Sequence, residues 1–283
     1  MLFSYEELIN AFNEYTRFKS NNLQQHHLRY IFPLFDGTYF CYRKLDILRI
    51  ANIAQILSNN PTYIDIGCGI GDFLSNVRNF IYNAKGIELD PTIFYLLRKP
   101  VPDNIIFLPV ESLKCDQLFD IAFIGWMQPD IDFRNHVAKI AKCIITTFDS
   151  GGQCGKHGDC DYDEFGFRRI GYWRTPSWID VNTELMNKFY TSSLKNNNLL
   201  QNFLNQIRTC HNLWYVYVKD SLAKNISNKF RAYIQLEEQQ KLYLKEKFNF
   251  EKLLDDCGFG YHENIPSLIS KEKRLWKVVF DSI

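Results

Sequence analysis

The amino-acid sequence predicts an α/β domain built on a mostly parallel sheet. Short runs of β-forming residues alternate with helical segments between Pro61 and Phe148. One of these runs leads directly into the glycine-rich turn at residues 67–71. The chain has 283 residues, of which 46% are hydrophobic, so it can bury a sizeable core. Strands and helices in alternation are typical of right-handed βαβ units, which build parallel sheets.

Two helices are predicted before the sheet. Residues 4–18 have an amphipathic pattern, and residues 42–58 place apolar side chains on one face at helical spacing. Pro61 ends the second helix. The elements predicted after it are strand 62–66, helix 72–81, strand 84–88, a short helix from 91, strand 104–108, strand 119–124, helix 132–142 and strand 143–148.

The pattern changes after Phe148. Residues 149–178 are rich in glycine, aspartate and aromatic residues and are predicted to be a loop, whereas residues 179–247 are predicted to be largely helical. The α/β pattern returns with a helix at 249–256, a strand near 259–264 and a last strand at 274–280. We therefore predict that the intervening stretch interrupts the sheet domain and folds over it.

Composition narrows the classes of partner. The chain has 33 lysines and arginines against 32 aspartates and glutamates, so no overall field attracts nucleic acid or an anionic membrane. Glu6 and Glu7 stand where a signal peptide would need basic residues, and no run of 18 apolar residues occurs. The eight scattered cysteines favour reduced thiols. We expect a cytoplasmic protein with no membrane partner.

The turn after the first predicted strand has the pattern D-x-G-x-G-x-G from Asp65 to Gly71. Glycines at such a turn let a ligand approach the backbone closely. The dinucleotide fingerprint G-x-G-x-x-G would need a glycine where the chain has Asp72, whose charge would also repel a pyrophosphate. The Gly-Lys-Ser/Thr ending of a phosphate-binding Walker loop is absent from this turn. The pattern therefore indicates a different cofactor.

This pattern resembles motif I of the class I S-adenosylmethionine-dependent methyltransferases, whose cofactor carries a cationic sulfonium that suits acidic surroundings. The resemblance extends to Glu88, at the predicted end of the second strand, where an acid accepts hydrogen bonds from both ribose hydroxyls. It implies that Glu111 and Ser112 contact the adenine, and that Gly125 and Trp126 face the methionine part. The cofactor-binding residues implied are Asp65, Gly67, Cys68, Gly69, Gly71, Glu88, Leu89, Glu111, Ser112, Gly125 and Trp126.

The resemblance implies a Rossmann-like, seven-stranded methyltransferase sheet, mostly parallel with an antiparallel last strand, with N-terminal helices and a helical insert after strand 5. The sixth and seventh strands would be those at 259–264 and 274–280. The implied domains are an N-terminal helical cap (1–60), a core that binds S-adenosylmethionine (61–148 and 249–283) and a substrate-covering loop and helical insert (149–248).

Methyl transfer from a sulfonium needs no protonation of the leaving group. In-line placement and exclusion of water can supply most of the catalysis, and a base is needed only where the nucleophile carries a proton of high pKa. The candidates for that base are His157, Asp149 and Tyr162. The alternative interpretation of His157 is a solvent-exposed histidine in a loop, with no catalytic role. The motif [DNS]-P-P-[FY] is absent after strand 4, which counts against amino groups of nucleic-acid bases as acceptors.

The predicted loop carries two further patterns. Cys154, His157 and Cys160 have metal-binding side chains, but zinc sites use four ligands, or three and a water, and no second pair follows. We therefore predict no metal there and a loop that shapes the pocket floor. Aromatic residues also interleave with arginines, which suits either stacking on a planar substrate or packing onto the domain. These residues are Phe165, Phe167, Arg168, Arg169, Tyr172, Trp173, Arg174 and Trp178.

The sequence thus predicts an S-adenosylmethionine-dependent methyltransferase that acts on an oxygen or nitrogen atom of a small-molecule acceptor. Two alternatives remain open. One is a methyltransferase that acts on RNA or protein and uses the aromatic and arginine residues as its platform. The other is a cofactor-binding but inactive regulatory or scaffold subunit.

Overall fold

The computed structural model describes residues 42–96, 99–116, 118–125, 127, 131–149, 161–175, 212–241 and 277–283. The predicted elements at 4–18, 249–256 and 259–264 lie outside these residues. No helix in the described part has the length and hydropathy needed to cross a membrane.

One mixed sheet with helices on both faces forms the described structure. Its strands are β1 (Thr62–Ile66), β2 (Asn83–Glu88), β3 (Ile105–Phe107), β4 (Phe119–Ile124), β5 (Ala141–Asp149), β6 (Phe167–Thr175), β7 (Asn212–Lys219) and β8 (Val279–Phe280). The helices are α1 (Lys44–Leu57), α2 (Asp72–Val77), α3 (Thr92–Leu96), α4 (Arg134–Ile140) and α5 (Asp220–Gln239). Short 3-10 turns occupy Val110–Ser112 and Asp163–Phe165.

The order of the described strands is β3-β2-β1-β4-β5-β7-β6-β8. The first five strands pair in parallel, and β7 pairs antiparallel with both β5 and β6. Consequently β6 runs parallel to β5. An antiparallel seventh strand inserted between the fifth and the sixth is the arrangement of the class I methyltransferase sheet, so the predicted fold class is confirmed. β8 adds a short antiparallel strand at the edge, next to β6.

The assignment of the sixth and seventh strands to 259–264 and 274–280 is wrong. Their places in the sheet are taken by β6 and β7, from the stretch that was predicted to be loop and helix. In β6 a register shift between Arg169 and Gly171 disturbs the alternation that would mark a strand. β7 carries a continuous run of β-forming residues from Leu213 to Val218. The predicted last strand contributes β8, which joins the sheet as an eighth strand.

Two apolar clusters hold the helices to the sheet. Cluster 1 lies beneath α1, α2 and α5 and contains buried Ile50, Phe123, Trp214 and Phe230. Cluster 2 lies under α4 and contains Val137 and other apolar side chains of the opposite sheet face. α1 is therefore part of the layer that covers the sheet, which agrees with the predicted helix at 42–58.

The strand register defines one edge of the sheet, which we call the carboxyl edge. Ile66, Ile87, Ile124 and Thr146 lie level with one another close to this edge. The ends of β5 and β6 and the start of β7 extend the same edge, since Asp149, Asn212 and Thr175 are register partners. The chain therefore leaves the described sheet at this edge after Asp149 and after Thr175 and re-enters it at Asn212, and these three points begin or lie within the stretch 149–248 that was predicted to cover a substrate. That covering role stays a prediction.

Candidate cofactor site

The glycine turn connects β1 to α2 at the carboxyl edge. Gly67, Gly69 and Gly71 have φ values of 68°, 56° and 78°, in the left-handed region that other residues rarely adopt. Gly71 is the N-cap of α2, and a Cβ there would lie 2.6 Å from Cδ1 of Ile105. The backbone path of the turn thus requires the three glycines. The absence of a side chain at Gly71 also lets α2 approach β3 closely.

The amide groups of this turn are used mainly within the protein. The N–H groups of Gly67 and Cys68 both donate to the carbonyl oxygen of Ile87, at 2.9 and 3.0 Å. The N–H of Gly71 donates to the carbonyl of Cys68 at 3.0 Å. In a phosphate-binding turn such groups point at the ligand instead. The geometry therefore favours a ligand whose contacts with the turn do not depend on a phosphate.

Glu88 ends β2 and lies beside the turn. Its Oε2 accepts a hydrogen bond from the N–H of Gly69 at 2.8 Å, and its Oε1 accepts one from the N–H of Leu89 at 2.8 Å. Both carboxylate oxygens are thereby oriented, and each has a second lone pair. A fixed pair of acceptors at this spacing suits a vicinal diol such as that of a ribose.

Asp65 is the second acidic group of the site. It lies in β1 directly before the turn and is only 3% exposed. Burial raises the pKa of its carboxyl well above the usual range; the hydroxyl of Tyr63, 3.5 Å away, opposes this shift and the negative charge of Glu88 adds to it. A cationic group bound beside Asp65 would stabilise the ionised form. The site therefore pairs an acceptor for hydroxyls with an acceptor for a cation.

The register brings the remaining cofactor candidates to the same edge. Glu111 and Ser112 lie exposed in the 3-10 turn that follows β3, and β3 pairs with the end of β2. Gly125 directly follows β4, and its carbonyl accepts a hydrogen bond from the hydroxyl of Thr147. Trp126 lies outside the described residues. Their contacts with a cofactor stay predictions.

The three candidates for a general base are placed differently. Asp149 is the last residue of β5, at the carboxyl edge, and His157 lies outside the described residues together with Cys154 and Cys160. Tyr162 is fully buried, and its ring packs against Phe167 and Tyr217. Because Phe167 pairs with Lys219 near the amino end of β5, Tyr162 lies away from the carboxyl edge. This location argues against the predicted role of Tyr162 as a base.

The aromatic and arginine residues of β6 mostly pack onto the domain. Trp173 is fully buried and stacks on Trp214, with ring centroids 5.5 Å apart. Arg169 forms an ion pair with Asp281 at 2.7 Å and lies over the ring of Tyr215. These contacts favour the packing interpretation over an open stacking platform for the described part of the stretch, which excludes Trp178.

Sequence reasoning missed a contact between α1 and the turn. The hydroxyl of Tyr42, just before α1, donates to Oδ2 of Asp72 at 2.5 Å and accepts from Nδ2 of Asn76 at 3.0 Å. Tyr42 and Asp72 are 30 positions apart, and no local pattern links them.

The comparisons with known proteins give low similarities. No protein-family model matches the chain, and no curated protein matches it. Among solved structures, similarity is found to S-adenosylmethionine-bound CalS10, an amino pentose methyltransferase from Micromonospora echinaspora, with 15% identity and a TM-score of 0.31. This alignment covers 36% of the present chain and 49% of CalS10, so the chain matches only about half the length of that protein.

Two further structures align over more of the chain. A putative sarcosine dimethylglycine methyltransferase from Galdieria sulphuraria has 12% identity and a TM-score of 0.44, with coverage of 62% of this chain and 84% of that one. YcgJ from Bacillus subtilis has 14% identity and a TM-score of 0.40, with coverage of 62% and 98%. Similarities at this level carry no functional argument. The strand order and the antiparallel β7 are independent of them, and on those observations the chain has the class I methyltransferase fold.

Proposed function

We propose that this protein is an S-adenosylmethionine-dependent methyltransferase. The observation that carries the proposal is the Glu88 carboxylate, which the N–H groups of Gly69 and Leu89 hold beside a turn whose amides are largely satisfied within the protein. A nucleoside that carries a cationic amino acid and no phosphate fits these groups, because the site offers acceptors for hydroxyls and for a cation.

The residues at the carboxyl edge would divide the cofactor among them. Glu88 would accept the ribose hydroxyls, Asp65 and the glycine turn would hold the methionine end, and Glu111 and Ser112 would contact the adenine. The bound cofactor would supply the methyl group on a sulfonium whose thioether is a good leaving group. The chain's own task is then to orient the acceptor and to exclude water.

For the acceptor we propose an oxygen or nitrogen atom of a small molecule. The near-zero net charge and the packed aromatic residues of β6 support this over an RNA acceptor, since RNA binding relies on basic surfaces and exposed stacking residues. Among the base candidates we favour Asp149, because it is the last residue of β5 and β5 ends at the carboxyl edge. A methyltransferase of RNA or protein is the second candidate, and tight, salt-sensitive RNA binding would favour it.

The proposal is tested by calorimetric titration of the full chain with S-adenosylmethionine, with S-adenosylhomocysteine and with NADH as the control. We expect micromolar binding of the first two ligands and none of NADH, because a pyrophosphate would have to displace the internal hydrogen bonds of the turn. Absence of binding to both adenosyl ligands would refute the proposed cofactor. A screen of small acceptors with radiolabelled methyl would then distinguish an enzyme from an inactive scaffold.

Cofactor affinity is expected to fall as the pH is lowered. The free protein holds the Asp65 carboxyl with a raised pKa, whereas a bound ammonium favours its ionised form, so binding must release a proton below that pKa. Affinity should therefore rise with pH until the carboxyl of the free protein is fully ionised, at a pH above the usual range for aspartate. Titrations at pH 5 to 8 in buffers of different ionisation enthalpy measure the proton release.

The matched variant for this prediction is Asp65→Asn. It should bind more weakly than wild type, and its affinity should depend less on pH, since Tyr63 and Cys68 have raised pKa values and stay neutral in this range. An equal pH dependence in Asp65→Asn and wild type would assign the titration to another group.

A further inference from the structure

Asp72 is an acidic residue at the glycine turn that the proposed cofactor contacts leave without a role. It directly follows Gly71 and is the first residue of α2, the helix that follows the glycine turn. A dinucleotide site would exclude a carboxylate there because of the pyrophosphate charge. The position of this charge therefore needs a separate explanation.

The side chain of Asp72 is oriented by its neighbours. The Tyr42 hydroxyl donates to Oδ2 at 2.5 Å, and Asn76 donates both to that hydroxyl, at 3.0 Å, and to the backbone carbonyl of Asp72, at 3.1 Å. Tyr42 is buried, and its ring packs edge-on against Phe73 at 4.8 Å. The packed ring and the hydrogen bond from Asn76 therefore fix the direction in which the Tyr42 hydroxyl donates to the Asp72 carboxylate.

The donor that orients Asp72 is a neutral phenol. Burial and the neighbouring carboxylate raise the pKa of Tyr42, so the phenol donates a hydrogen bond and keeps its own proton. The turn thus holds a third carboxylate besides Asp65 and Glu88. A fixed negative charge acts over several ångströms in a partly buried site, so it responds to a ligand's charge without direct contact.

We infer that Asp72, oriented by Tyr42, makes this site prefer the cationic sulfonium cofactor over its uncharged thioether product. The inference rests on the proposed function. The two ligands share the adenosine and the amino acid end, so the direct contacts that Asp65 and Glu88 make with those groups are common to both. Their difference is one methyl group with one positive charge, so the attraction between a carboxylate at the turn and the sulfonium exists for only one of the two ligands.

The experiment compares affinities of the full-length wild type and Asp72→Asn for S-adenosylmethionine, S-adenosylhomocysteine and sinefungin, in which a protonated amine replaces the sulfonium. In Asp72→Asn we expect the affinity ratio of S-adenosylmethionine to S-adenosylhomocysteine to fall by about three- to tenfold. Sinefungin should weaken together with S-adenosylmethionine, while S-adenosylhomocysteine should weaken less, because it has only the ammonium that all three ligands share. The ratio separates this role from a structural one, because a distorted turn would weaken all three ligands alike.

Two further variants complete the test. Tyr42→Phe removes the orienting hydroxyl and should lower the ratio in the same direction by a smaller factor; an unchanged ratio would refute the positioning role of Tyr42. Asp103→Asn removes an exposed carboxylate that contacts Arg78 at the far end of α2, and it should leave the ratio unchanged. If the wild type binds the ligands and Asp72→Asn has the same affinity ratio as the wild type, this inference alone is overturned. No wild-type binding to any ligand would overturn the proposed function and this inference together.

Discussion

Replacing Arg49 by methionine is expected to destabilise the protein by about 3–5 kcal/mol, because it removes the arginine that pairs with the buried carboxylate of Glu237. Arg49 of α1 donates through Nε to Oε2 of Glu237 in α5 at 3.0 Å and through a second nitrogen to Oε1. Its remaining nitrogen lies 3.6 Å from Oδ1 of Asp46. The three side chains are at most 2% exposed, so water cannot replace the lost contacts.

The Arg49 pair also connects two helices that cover the same sheet face. Its guanidinium lies over the buried ring of Trp173, 5.2 Å from the centroid, and so joins α1 and α5 to β6. Methionine keeps much of the apolar stem and removes the charge. The loss is therefore mainly electrostatic, and it should appear as a lower midpoint in urea denaturation with an unchanged slope.

Two control variants separate this explanation from a general loss of packing. Arg78→Met removes an exposed ion pair with Asp103, whose side chain is 93% exposed, and should cost at most about 1 kcal/mol. The double variant Arg49→Met with Glu237→Leu removes both charges and should recover part of the lost stability. If the double variant instead loses as much stability again relative to Arg49→Met, the unpaired buried charge is not the cause of the loss.

The second large effect is expected for Glu88→Ala, which should weaken S-adenosylmethionine binding by about 10- to 150-fold. This corresponds to about 1.5–3 kcal/mol, the scale of hydrogen bonds to a charged group. The substitution also releases the N–H of Gly69, so part of the loss comes from the turn. Calorimetric titration measures the change in affinity, and circular dichroism checks that the fold is retained.

The ribose contact can be isolated from the effect on the turn. An S-adenosylhomocysteine analogue that lacks the 2′-hydroxyl should bind the wild type more weakly than S-adenosylhomocysteine does. In Glu88→Ala the two ligands should bind almost equally, because the variant and the analogue remove the same hydrogen bond. Asp90→Asn is the matched control, since Asp90 is an exposed acid two residues further on whose carboxylate accepts from the N–H of Thr92. Unchanged affinity in Glu88→Ala would remove Glu88 from the site.

Local sequence patterns were sufficient for the first five strands and for the turn. β1 and β4 have the predicted bounds, because each is a short apolar run flanked by residues that stop a strand. The spacing of glycines after Asp65 predicted a ligand turn, and all three glycines adopt the left-handed conformation that made glycine necessary. Glu88 lies at the end of β2, as the sequence predicted, and its contact with the ribose stays a prediction. These features depend on residues that are neighbours in the chain.

Tertiary structure decided the rest. β6 and β7 become strands because β7 pairs with both β5 and β6, although a register shift and charged residues hide the alternation of β6. Arg49 and Glu237 are 188 positions apart, and Tyr42 reaches Asp72 only because α1 and α2 pack on the same face of the sheet. Buried polar contacts of this kind follow from which surfaces meet, and that is settled by the packing of the whole domain. The sequence alone therefore determined the fold class and the position of the glycine turn, and the folded chain determined the order of the last strands, the partners of the buried charges and the orientation of Asp72.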